Sequence, residues 1–195
     1  MSQELEIEFK NLLTEDEYKR LMDEYGHTSP VSQVNHYFDT PLFHLKESGA
    51  ALRIRKKGKK TVLTLKQPVE EGILETHQVI TSLDAEDMMN GGGLKRGEIS
   101  DLLELLNIPV SDIIHFGSLT TERVETEYEG GLLVLDHSFY LNKEDFELEY
   151  EVSNKQDGET KFMSLLSSYE IPVRETDSKI KRFYKEKVRL IQSGR

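Results

Sequence analysis

Charged or polar side chains recur at every second position in five stretches of this chain, mostly with apolar residues between them. Glu4, Glu6, Glu8 and Lys10 alternate with Leu5, Ile7 and Phe9; Arg53 and Arg55 with Leu52 and Ile54; Glu147, Glu149 and Glu151 with Leu148, Tyr150 and Val152. Thr64 and Lys66 flank Leu65, and Arg123, Glu125 and Glu127 share the same spacing. On a β-strand this spacing sends each charged set to one face and the apolar set to the other. One such stretch describes an ordinary sheet with a wet face. Five of them, four backed by an apolar face that must be covered, describe charged faces looking at one another across a barrel interior or a concave sheet.

The remaining patterning supplies the covers. Thr14 and Glu17 form a capping box ahead of a helix with Tyr18, Leu21, Met22 and Tyr25 on one side. Strands are predicted at 34–40, 51–57, 61–68 and 74–80, with a hairpin turn at Gly58-Lys59-Lys60. Residues 84–107 read as helical with an interruption at Gly91-Gly92-Gly93, which is a loop rather than a phosphate cradle. Strands return at 113–128, 132–136 and 145–153, with a turn at Glu129-Gly130-Gly131. Helices follow near 159–169 and after Thr176, the latter with Ile180, Phe183 and Tyr184 inward. Asp39-Thr40-Pro41 reads as a turn. About eight strands, mostly joined to their neighbours by tight turns, predict an α+β fold: a closed, eight-stranded antiparallel β-barrel with helices packed outside, in a single domain over 1–195.

Composition narrows the function. The chain carries 25 basic and 36 acidic residues, a formal net charge of -11, which argues against general nucleic-acid binding. It has no cysteine, so disulfide scaffolds and thiolate chemistry are excluded. The N-terminus lacks the features of a signal peptide, and no run reaches the roughly 20 apolar residues of a membrane span. A cytoplasmic protein, monomeric or homodimeric, with no membrane or nucleic-acid partner is expected. The six histidines form no HExxH or close ligand pair, and neither a Walker A nor a GxGxxG sequence is present.

Both signs of charge sit on the recurring faces. Carboxylates suit a hard cation, whereas guanidinium and ammonium groups suit phosphate oxygens. The mixture is what a metal–polyphosphate complex requires.

The segment Glu6-Ile7-Glu8-Phe9-Lys10 resembles the ExExK signature of the CYTH family, also called triphosphate tunnel metalloenzymes. YFDT (37–40), Leu52-Arg53-Ile54-Arg55, Thr64-Leu65-Lys66, Arg123, Leu135-Asp136, Glu149-Tyr150-Glu151 and Ser178-Lys179 follow in the family's order and cover nearly the whole chain. The resemblance implies an eight-stranded tunnel holding Mg²⁺ or Mn²⁺ and a small anionic triphosphate substrate. Carried onto this chain, Glu6, Glu8, Asp136, Glu149 and Glu151 become metal-side carboxylates. Lys10, Arg53, Arg55, Lys66, Arg123 and Lys179 become triphosphate ligands, with Glu149, Glu151 and Lys10 closest to the chemistry. Glu75 is a further tunnel-facing candidate, and Glu4 replaces Glu8 in the first metal pair if the register slips by two residues. The family members hydrolyse inorganic, thiamine, nucleoside or RNA 5′-triphosphates, and some form cyclic AMP from ATP. Metal-dependent triphosphate hydrolysis is therefore the expected activity, with an adenylate cyclase and a non-catalytic polyphosphate-binding module as alternatives.

Overall fold

The computed structural model describes residues 2–194, apart from the side chain of Lys57. Eight antiparallel strands close into a barrel in the order β1-β5-β4-β3-β2-β6-β7-β8. By contacts the chain divides into two compact units: Val34–Leu119 with the start of β1, and Glu6–Gln33 with the chain from Thr120 onward.

The first unit carries most of β2 (Val31–Asp39), then β3 (Ala51–Lys57), β4 (Lys60–Val69) and β5 (Gly72–Ile80). β3 and β4 meet at the predicted hairpin, where Gly58 takes the left-handed conformation (φ 61°). The helical stretch expected over 84–107, with its interruption at Gly91-Gly92-Gly93, is two helices, α3 (Ser82–Met89) and α4 (Glu98–Leu105). Thr81 caps α3, accepting from the Asp84 N–H. Both helices press on the apolar face of the strands, where Phe38, Leu52, Ile54, Leu63 and Leu65 bury with Met88, Ile99 and Leu103. A four-residue helix, α2 (His44–Glu47), is too short to leave a periodic trace in sequence. The fully buried Asp39 carboxylate supports it, accepting from the backbone N–H groups of Thr40, Leu45 and Lys46.

The second unit carries most of β1 (Ser2–Leu13), then α1 (Glu15–Tyr25), most of β6 (Ile114–Tyr128), β7 (Gly131–Tyr140), β8 (Lys143–Val152), α5 (Lys155–Ser168) and α6 (Lys179–Gln192). The capping box at Thr14 and Glu17 is formed, and Arg174 grips the Glu17 carboxylate with two 2.8 Å bonds. The β6–β7 turn places Glu129 and Gly130 at φ 44° and 82°, the pair of positive values that a two-residue hairpin turn requires. Val124, Leu133, Leu135, Leu148 and Tyr150 bury against Tyr18 and Leu21 of α1 and Phe162, Leu165 and Leu166 of α5. Gly158 permits the approach of α5, since a Cβ there would lie 2.6 Å from Val152 Cγ2.

In both units the helices cover the apolar strand face. The opposite face, which carries the charges of β1, β3, β6 and β8, is thereby left to the barrel's inner wall.

Candidate active site

In the first unit, strand register assembles a basic wall. Tyr37 stands opposite Arg53, Arg53 opposite Thr64, and Thr64 opposite His77; Lys66 faces Glu75, and Asn35 faces Arg55. Glu75 is the shared carboxylate. It forms an ion pair with Lys66, lies 3.7 Å from Arg53 Nη2 and 3.4 Å from His77 Nε2. His77 Nδ1 is 3.0 Å from Thr64 Oγ1, and Arg55 Nε donates to the buried Asn35 Oδ1 at 2.6 Å. Arg53 Nε is buried and has no hydrogen-bond partner among the described residues, an unfulfilled donor on a cation. Glu4 is exposed here, 4.0 Å from His77.

In the second unit the same register logic produces a closed network. Arg123 faces Asp136, which faces Glu147; Lys10 faces Glu149, and Glu8 faces Glu151. Arg123 forks onto Asp136 through Nε (2.8 Å) and Nη2 (2.6 Å), and Nη2 also reaches Glu149 at 2.8 Å. From the first residue of α6, the Lys179 ammonium sits among three carboxylates: Asp136 at 2.8 Å, Glu147 at 2.5 Å and Glu149 at 2.5 Å. Arg182, one turn further along α6, forks onto Asp145 at 2.9 and 3.1 Å. Its Nη1 lies 2.5 Å from Glu147 Oε2, a charge contact outside hydrogen-bond geometry. Lys10 reaches along its own strand to Glu8 at 2.5 Å.

These surroundings push neighbouring carboxyls apart. Burial alone would raise Glu149, but Lys179 and Arg123 hold it well below the usual carboxylate range. Burial raises Glu147 to about 7, helped by Glu149 and opposed by Lys179 and Arg182. Glu151 is raised by burial against the pull of Arg123, with Glu149 and Glu8 adding to the rise. Burial disfavours the cationic forms of Lys179 and Arg123, yet their carboxylate neighbours hold both well above their ordinary values.

Arg53, Arg55, Lys66 and Glu75 are thus gathered in the first unit, and Lys10, Glu8, Arg123, Asp136, Glu149, Glu151 and Lys179 in the second. Glu6 shares the Glu8 face of β1 by alternation. Three participants were passed over in the sequence: His77, Glu147 and Arg182. Each repeats the spacing of a neighbouring candidate residue. His77 is two from Glu75 and Glu147 two from Glu149, whereas Arg182 is one helical turn from Lys179. Among the described residues no group of three or more histidine, aspartate and glutamate side chains is arranged to hold a metal ion. Asp136, Glu147 and Glu149 are instead taken up by the chain's own cations.

The CYTH domain family matches residues 4–184. This chain belongs to the CYTH family. YjbK of Bacillus subtilis, which carries the provisional name of a triphosphatase, is 49% identical over 189 residues, 96% of this chain and 98% of its own. A crystal structure from Bacillus halodurans, provisionally named an adenylate cyclase, is 39% identical and covers 94% of this chain and 100% of its own, with a TM-score of 0.89. HpAC1 of Hippeastrum, provisionally named an adenylyl cyclase and described as having a dominant triphosphatase activity, shares the CYTH fold. Its TM-score is 0.74 at 24% identity, over 93% of this chain and 96% of its own. Among the described residues of this CYTH protein, no helix is long and apolar enough to cross a membrane.

Proposed function

We propose that this CYTH protein hydrolyses a small triphosphate in a divalent-metal-dependent reaction, working as one domain in the cytoplasm as a monomer or homodimer. One structural observation carries the reading. Arg53 holds a buried Nε with no partner on a wall where Arg55 and Lys66 also stand, and a phosphate oxygen is the acceptor such a donor suits. The provisional triphosphatase name of YjbK, at 49% identity, points the same way.

Arg53, Arg55 and Lys66 bind the phosphate chain, joined by Lys10. Arg123 and Lys179 face the transferring phosphoryl group, whose oxygens gain from fixed cationic donors as the bond to the leaving phosphate breaks. Glu149 is kept ionised by its two cations and accepts a hydrogen bond from the attacking water, with Glu151 as its neighbour. Asp136, forked by Arg123 and touched by Lys179, orients these two cations. An all-carboxylate donor set fits Mg²⁺ or Mn²⁺, and Glu8 stands directly opposite Glu151, a like-charge pair that a cation relieves. Glu8 and Glu151 would contribute carboxylate oxygens to the metal, which when bound would offset phosphate charge and lower the pKa of water.

A second reading, cyclisation of ATP, has the provisional name of the Bacillus halodurans relative in its favour. It requires a ribose 3′-hydroxyl in place of water. Phosphate release from inorganic triphosphate, ATP and thiamine triphosphate, with Mg²⁺, Mn²⁺ or a chelator, separates the readings. Metal-dependent phosphate release is the expected result and ranks the substrates. ATP consumed into cyclic AMP supports the cyclase, and triphosphate bound without turnover supports a polyphosphate-binding module.

A further inference from the structure

Lys179 and Arg182 are three residues apart on α6 and leave the same side of the helix. Their chemistry differs. A lysine ammonium is a point charge on a flexible stem, whereas a guanidinium is a rigid fork that fixes whatever it grips. Lys179 relies on the positions of its three carboxylates. Glu147 is the one that connects it to Arg182: Oε1 meets Lys179 Nζ and Oε2 meets Arg182 Nη1, each at 2.5 Å.

Arg182 is itself fixed on three sides. Its Nε and Nη2 donate to the two oxygens of Asp145, and its Nη1 donates to the Asp177 carbonyl at 2.5 Å, just ahead of α6. Tyr140, buried on β7, donates its hydroxyl to Asp145 Oδ2 at 2.7 Å. The chain Tyr140–Asp145–Arg182–Glu147–Lys179 therefore runs from strand to helix and back without a break. We propose that Arg182 is a positioning residue for triphosphate hydrolysis. It sets Glu147 and the first turn of α6 so that the Lys179 ammonium is held beside Asp136 and Glu149. Arg182 touches neither substrate nor metal. The inference rests on the hydrolase reading above.

The test pairs kinetics with a readout that does not depend on turnover. Arg182→Gln is expected to lower kcat/KM for triphosphate about 100-fold, the cost of a displaced group, with partial recovery in Arg182→Lys. In a Lys179→Ala background Arg182→Gln should cost almost nothing more, because the group it positions is gone. In parallel, labelling of the folded protein with an amine-reactive reagent, read by mass spectrometry, should leave Lys179 protected in the wild type and labelled in Arg182→Gln. If Arg182→Gln does not fold, Tyr140→Phe keeps the guanidinium and removes one support, and should cost about fivefold in kcat/KM. Equal kinetic losses in the presence and absence of Lys179, or Lys179 still protected in Arg182→Gln, would overturn the proposal. A wild type that releases no phosphate would overturn the hydrolase reading, and the labelling result would still decide whether Arg182 positions Lys179.

Discussion

The charged walls of the two units are built from the same residue types and balanced in different ways. In the first unit Glu75 answers Arg53, Lys66 and His77, and Arg53 keeps a buried donor without a partner. In the second unit cations and carboxylates alternate along a continuous path, Arg123–Asp136–Lys179–Glu147–Arg182–Asp145. The first wall is suited to an arriving anion. The second is neutralised from within, so its charges occupy fixed places before any substrate binds, which is the condition for electrostatic catalysis without reorganisation. A buried ion network of this sort adds little net stability as a whole but is costly to break in one place.

That contrast can be broken in four ways. The largest effect expected is from chelation of divalent metal. Hydrolysis should fall about 1,000-fold or more, while the protein should stay folded and lose only the stability that metal binding adds by mass action, about 3 kcal/mol at a hundred-fold excess over Kd. A larger loss of stability on chelation would mean that the metal is structural.

Next comes the removal of single cations. Arg123→Ala would leave the fully buried Asp136 and the nearly buried Glu149 short of a partner and should cost about 3–5 kcal/mol of stability. Arg53→Ala should cost about 1 kcal/mol or less, because Lys66 still pairs with Glu75. Urea denaturation of the two variants checks this, and equal losses would erase the distinction between the walls.

The third effect is pH dependence. The Glu147 carboxyl is raised to about 7 in the folded protein, from the ordinary carboxylate range. Its contribution is therefore fully present below the unfolded value and lost as pH rises through 7, since the folded state binds the extra proton in that window. Melting temperature should decline from pH 5.5 to 8 by an amount corresponding to about 1–3 kcal/mol, and Glu147→Gln should flatten the slope. Parallel slopes in the two proteins would remove Glu147 as the source. The smallest effect expected is in helix capping: Thr14→Ala should cost about 1 kcal/mol, and more than Thr81→Ala, because Glu17 is also clamped by Arg174.

What could be read from sequence follows how local each feature is. Alternation along β1, β3 and β8 placed the charged faces because strand geometry converts spacing directly into direction. The Thr14–Glu17 box and the turns at Gly58 and Gly130 were legible because a few adjacent residues determine them. Glu147 and Arg182 were missed although the spacing rules reach them. Their importance comes from partners set by register and by the docking of α6: Asp136 opposite Glu147, and Asp145 beneath Arg182. Asp39 was read as part of a turn, and its role as anchor of α2 becomes visible only when the Leu45 and Lys46 N–H groups return to it. The interruption expected at Gly91-Gly92-Gly93 extends beyond those glycines, because a new helix begins only at Glu98, where Ile99, Leu102 and Leu103 carry its apolar stripe.

The division of labour between the walls is tested most directly by measuring, in Arg55→Ala and Glu149→Ala, the affinity for inorganic triphosphate and its metal-dependent hydrolysis. Arg55→Ala should bind at least about tenfold more weakly and still hydrolyse what it binds, whereas Glu149→Ala should bind nearly normally with turnover reduced by about 100-fold or more. A fully active Glu149→Ala, or an Arg55→Ala that binds as tightly as the wild type, would contradict the account.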